Sequence, residues 1–239
     1  MKNLIIGLIL LILFHFPFHS YSQIYRIHKN DTINRTDSKG LKQGVWKRYF
    51  ENDTLFSITT FKNGRPSGET KTFYNSGKLQ AEIKYAADGK HASVNNYYEN
   101  GKIKATGFYI DHQKDSMWKY YNGADSLSAI ENYKAGIKSG AWKIYYSNAT
   151  VSEEFTYIKG KRQGPYKQYY DTGKLKLETT FKNDQFDGSV KMYFSDGKLL
   201  FAGMYKNGLS EGNWDYYNGK SAKDSTNVYK NGVLVPQEK

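Results

Sequence analysis

Gly140-Ala141-Trp142-Lys143-Ile144-Tyr145-Tyr146 is the stretch from which the rest of the chain can be read. It returns in near copy as Gly212-Asn213-Trp214-Asp215-Tyr216-Tyr217. The four tryptophans, Trp46, Trp118, Trp142 and Trp214, are 72, 24 and 72 residues apart, all multiples of 24. Self-similarity at a fixed period is the first thing to seek in an unknown chain, because missing it misreads the whole fold.

Written in rows of 24 from Gly44 to Val235, the chain gives eight rows without insertion or deletion. The first column is small throughout: Gly44, Gly68, Ala92, Ser116, Gly140, Gly164, Gly188 and Gly212. The sixth is aromatic throughout: Tyr49, Phe73, Tyr97, Tyr121, Tyr145, Tyr169, Tyr193 and Tyr217. The eighteenth, from Phe61 to Tyr229, is also wholly aromatic, and the twelfth is aliphatic from Leu55 to Leu199, failing only at Lys223.

Within a row, apolar residues alternate with a period of two, as in Leu79, Ala81, Ile83 and Tyr85 against Gln80, Glu82 and Lys84, which is strand periodicity. Turn dipeptides separate the strands: Asn63-Gly64, Asn100-Gly101, Asp196-Gly197, Asn207-Gly208 and Asn231-Gly232. Such pairs favour the positive φ angles of primed hairpin turns. Each row is therefore expected to be one hairpin, with strands over columns 2 to 8 and 12 to 19. The fold class is all-β: an elongated antiparallel meander of eight 24-residue hairpins forming an open twisted sheet, on the order of 75 Å long at roughly 4.8 Å per strand.

Residues 1–22 read as a secretory signal, with Lys2 ahead of an apolar run from Leu4 to Phe14 and Ser20-Tyr21-Ser22 predicting cleavage before Gln23. The expected product is a secreted or periplasmic protein: a partial repeat over 23–43 with Ile24, Tyr25 and Ile27 capping the first sheet edge, eight repeats over 44–235, and a tail over 236–239. The net charge of +12 comes from lysines that recur with the repeat, such as Lys62, Lys134, Lys182, Lys206 and Lys230. A nucleic-acid partner is not expected from so dispersed a pattern; Lys in this role blunts sheet edges and surfaces. The chain has no cysteine, which excludes disulfides, thiolate metal sites and a cysteine nucleophile.

The recurring Gly-x-Trp-x-x-Tyr-Tyr-x-x-Gly-x-Leu, followed by Tyr/Phe-Lys-Asn-Gly, resembles the MORN repeat in its bacterial variant form over residues 44–235. The resemblance implies an array of β-hairpins without an active site of its own, serving interaction, scaffolding or membrane association. Some bacterial relatives carry the label of antitoxin component, which would imply a cytosolic partner. Thr70, Val94, Tyr166 and Val190 depart from the pattern at the tryptophan column.

No HExxH, Gly-x-Ser-x-Gly or phosphate-loop pattern is present, and His28, His91 and His112 do not form metal-type pairs. Acidic neighbours such as Glu153 and Glu154, or Asp184 and Asp187, do not single out a glycosidase-like pair. The expectation is a non-catalytic array with no cofactor and no metal. Its partner is expected to be another protein, met by the tyrosines beside the all-aromatic column: Tyr74, Tyr98, Tyr146 and Tyr170. The alternative is an anionic envelope glycan or lipid headgroup, met by Lys78, Lys102, Lys174 and Lys198 near the hairpin turns.

Overall fold

The structure, a computed structural model, describes residues 26–28, 31–220 and 222–236, and every regular element in it is a β-strand. The expected signal segment and the caps at Ile24 and Tyr25 lie outside the described residues. Rows one to eight form consecutive hairpins, from Lys42–Tyr49 with Leu55–Lys62 to Leu209–Tyr217 with Lys223–Lys230. Each strand pairs antiparallel with its sequence neighbours. Closing the sheet into a barrel would require Val233–Val235 at one edge to pair with Arg35–Thr36 at the other. No such register exists among the described residues, so the sheet is open.

Two turn chemistries alternate along its two long rims. Between rows, Asn63-Gly64, Asn207-Gly208 and Asn231-Gly232 hold positive φ at both residues (52° and 76°, 51° and 81°, 50° and 80°), the tight turn expected for them. Within rows the expectation of primed turns does not hold. At Asn100-Gly101 and Asp196-Gly197 only the glycine has positive φ, and the loop is closed by hydrogen bonds such as Tyr98 N to Lys102 O and Gly101 N to Tyr98 O. This is a wider turn followed by a left-handed residue and a bulge. It leaves columns 7 and 8 in the loop and ends the first strand at column 6, with a register shift there in every row. The first strand also begins earlier than expected, three residues before the row, as in Arg65–Phe73.

The small first column is explained by a second bulge. Seven of its residues have positive φ, including Ser116 at 58°; Ala92 does not, and its hairpin instead has a longer loop through Ala86 to Lys90 and no bulge.

The core lies on one face of a single sheet, and its deepest column is the third rather than the all-aromatic sixth. Thr70, Val94, Trp118, Trp142, Tyr166, Val190 and Trp214 are all buried, Trp118 and Val190 to 1% exposure. Column-18 rings meet them edge-on, as Tyr157 does Trp142 at 4.8 Å and Tyr229 does Trp214 at 5.9 Å. Such pairs contribute about 0.5–1.5 kcal/mol beyond area burial. Space for the indoles comes from Gly107 and Gly203: a Cβ there would lie 2.3 Å from Trp118 and 2.4 Å from Trp214.

The sixth column belongs to the opposite face, where Tyr169 and Tyr193 donate to Glu154 and Glu178 at 2.6 and 2.7 Å. That face is laced by cross-strand ion pairs such as Lys71 with Glu82 and Lys143 with Glu154.

At the first edge, Asn34 does the capping. Its side chain donates to Lys47 O at 3.0 Å and accepts from Lys47 N at 2.7 Å, standing in for a neighbouring strand's peptide, while Arg35 O receives the Trp46 indole N–H at 3.1 Å.

Candidate functional site: a hollow in the aromatic face

On the core face, four cations sit over the aromatic pairs and cover them. Lys42 Nζ lies 4.5 Å from the Trp46 ring and 4.9 Å from Phe61. Lys114 lies 4.5, 5.2 and 5.0 Å from Trp118, Tyr120 and Tyr133, and Lys138 lies 4.8 and 5.1 Å from Trp142 and Tyr157. Arg162 lies 4.1 Å from Phe181. All four occupy the same column, the second residue before each row. A single-layer sheet has no second layer to shield its core, and long cationic side chains supply the cover through their stems and their attraction to ring faces.

Repeats two and three interrupt this layer. Thr70 and Val94 replace tryptophan, and Ala81 and Ala105 bring little side chain beside them. An open hollow of about 430 Å³ results, within the roughly 300–1,000 Å³ typical of ligand sites. Its floor is Ala81, Ile83 and Ala105; Tyr74, Tyr109 and Tyr120 wall it; Thr72, Gln80 and Asn96 supply polar groups. Tyr120 stacks on the buried Trp118 at 6.2 Å and 28°.

Lys104 and Lys114 are the charges lining this hollow, and no carboxylate lines it. Lys114 donates to the Tyr120 hydroxyl at 2.6 Å, and burial lowers its pKa. Burial also raises Tyr120 far above the ordinary phenol value and Tyr133, bonded to Glu131 at 2.6 Å, to about 12. Lys104 is exposed, with its ammonium 5.6 Å from the Tyr98 ring. A hollow of about 270 Å³ on the opposite face has Glu178 among its lysines.

Tyr74, Tyr98, Tyr146 and Tyr170, expected as a contact surface, are half-buried. Each hydroxyl donates across to the next repeat, to the carbonyls of Tyr97, Tyr121, Tyr169 and Tyr193 at 2.7, 2.9, 2.8 and 2.7 Å. These four stitch repeats together, and Tyr74 also walls the hollow. Lys78, Lys102, Lys174 and Lys198 are exposed along the loop rim. Lys102 pairs with Asp125 at 3.2 Å, and Lys198 pairs with Asp196 at 3.1 Å and donates to Gly219 O at 2.7 Å.

Of the structural positions, Trp118, Trp142 and Trp214 are buried, while Trp46, Tyr49, Tyr121, Tyr145 and Tyr217 are half-buried. The acidic neighbours are occupied: Glu154 by Tyr169 and Lys143, Asp184 by Arg162, and Asp187 by the amide of Asn207. His91 lies exposed against Asp88, whose carboxyl is held well below the ordinary value mainly by the backbone amides of Lys90 and His91.

Sequence reasoning missed the cation column and the hollow. A signal existed for both: Lys42, Lys114, Lys138 and Arg162 recur at multiples of 24, and the small residues fall together in two adjacent rows.

The model of the MORN repeat variant matches residues 42–63, 66–87, 90–111, 162–183 and 186–207. All five begin in the same phase of the 24-residue period, at the cation column or its equivalent. No curated protein matches the chain. Among solved structures, a crystal structure of TarM matches at 14% identity and a TM-score of 0.31, over 44% of this chain and 20% of that one. A crystal structure of TcdB2-TccC3-Cdc42 matches at 11% identity and a TM-score of 0.19, over 79% of this chain and 14% of that one. Both likenesses are too slight to carry an argument, and the chain spans a fifth or less of those proteins. The period, the hairpin in each row and the five matches in one phase together establish that the chain belongs to the MORN-variant repeat proteins.

Proposed function

We propose that this protein is a non-catalytic binding array of the secreted or periplasmic space, whose recognition site is the hollow in the aromatic face of repeats two to four. One observation carries the reading: where Thr70 and Val94 stand in place of tryptophan in two adjacent repeats, the aromatic layer is broken and leaves a ligand-sized depression with aromatic walls and convergent polar groups. A pure scaffold has no need of such a break.

The localisation rests on the signal-like segment at 1–22, and the non-catalytic reading on the structural engagement of Glu154, Asp184 and Asp187. A role in holding other proteins together remains part of this proposal, with the hollow as the point of attachment. Photo-crosslinking tests it. A photoreactive residue at Asn96, in the hollow, should capture a component of the envelope fraction, whereas one at Lys119, exposed on the charged face, should not. Capture from position 119 alone, or from neither, would refute the site.

A further inference from the structure

The hollow's chemistry selects its occupant. From its lining we infer that the protein binds an acidic oligosaccharide, one whose sugar rings carry carboxylates, with a ring seated against Tyr120 and its charge directed to Lys104. The inference rests on the binding reading above and goes on to name the ligand class.

A pyranose ring has an apolar face of C–H groups and a rim of hydroxyls. It is recognised by an aromatic ring for the first and by amides, hydroxyls and charges for the second. Tyr120 offers such a platform: its ring is held by stacking on Trp118 and its hydroxyl is fixed by Lys114, so little mobility is lost on binding. Tyr74 and Tyr109 stand as further walls, and Asn96 and Gln80 present amide groups that both donate and accept, the pairing sugar hydroxyls require.

Charge decides between neutral and acidic sugars. Two ammonium groups and no carboxylate line the hollow, in a chain of net charge +12. Lys114 is engaged with its rings and with the Tyr120 hydroxyl. Lys104 is exposed at the margin and is the group available for a carboxylate, which it would meet in a charge-assisted hydrogen bond. A lipid headgroup offers the anion without the ring. It would use Lys104 and leave the walls of Tyr74, Tyr109 and Tyr120 unexplained.

Calorimetric titration of the purified protein tests this, using oligomers of galacturonate, alginate and hyaluronan, neutral galactose oligomers of equal length, and phosphatidylglycerol vesicles. At least one acidic oligomer should bind saturably and the neutral one about tenfold or more weakly, the loss expected for a charged hydrogen bond. Lys104→Gln, an exposed change that leaves the fold intact, should remove most of that difference. Tyr120→Ala should abolish binding, while Tyr120→Phe, which keeps the ring, should retain it.

Binding of none of the acidic oligomers, equal affinity for the neutral one, or tighter binding to the vesicles than to any sugar would overturn the inference. Those results would leave the binding reading standing if Asn96 still captures an envelope component. Loss of that capture as well would remove both.

Discussion

Replacing Gly107 with alanine should destabilise the array far more than a single methyl group suggests. The new Cβ would lie 2.3 Å from Cδ2 and 2.4 Å from Cε2 of Trp118, against a normal carbon contact of roughly 3.5–4.0 Å. The indole is 1% exposed and walled by Tyr109 at 5.1 Å and by Tyr120, so it must shift by about an ångström or more. That shift breaks the bond from its N–H to Phe108 O at 3.1 Å, worth about 1 kcal/mol. Overpacking adds about 1–3 kcal/mol. Together they give about 2–4 kcal/mol.

Urea unfolding followed by tryptophan fluorescence should show the midpoint falling by about 1 M, at a slope of about 2–3 kcal/mol per M. Repeats two and three supply the remedy, since Ile83 and Val94 face each other in register where Gly107 and Trp118 meet one row later. The double change Gly107→Ala with Trp118→Val should therefore cost at least about 1 kcal/mol less than the sum of the single changes. Gly123→Ala, with nothing within 4 Å of its Cβ, is the control. A Gly107→Ala variant within about 0.5 kcal/mol of the parent, or strict additivity in the double change, would refute the packing described.

Tyr98→Phe removes only the hydroxyl bonded to Tyr121 O and should lower stability by about 1 kcal/mol in the same assay, with no effect expected at Phe50 or Phe194, which lack the hydroxyl already. Ala149 holds φ at 66° in the loop of repeat five, where rows two, three, six and seven place glycine; Ala149→Gly should stabilise by about 0.5–1 kcal/mol, read as a raised unfolding midpoint. Alkaline titration followed at the phenolate absorbance should resolve two classes of tyrosine. Burial and the carboxylates of Glu154 and Glu178 raise Tyr169 and Tyr193 to about 12 when folded, against about 10 unfolded. Folding therefore retains their protons, so the stability they contribute is whole below pH 10 and lost as pH rises through 12. A single titration step near 10 with the protein still folded would contradict this.

The fold was legible because its signals repeat. Eight rows with a small residue at the first column and aromatics at the sixth and eighteenth make the hairpin readable. The roles of the columns were less legible. The sixth is aromatic in every row, yet strand alternation from the buried third column places Tyr169 and Tyr193 on the charged face.

The third column mixes Trp with Thr, Val and Tyr and so looked degenerate, because what it conserves is burial rather than a side chain. Likewise Asn100-Gly101 and Asn63-Gly64 are the same dipeptide in different turns, and only the number of residues between the paired strands distinguishes them. The hollow was written as an absence, small residues in two rows, which has no motif. Lys102 and Lys198 looked like free cations because their acidic partners lie in the loops around them and not in a column.

The central claim is that the array recognises its ligand at the break in its aromatic layer across repeats two and three. Amide hydrogen exchange, with and without an acidic oligosaccharide at saturation, tests it most directly. Protection is predicted at 72–74, 96–98, 104–109 and 118–120, with repeats six to eight unchanged. Protection confined to the loop-rim lysines or to the later repeats, or none at saturation, would contradict it.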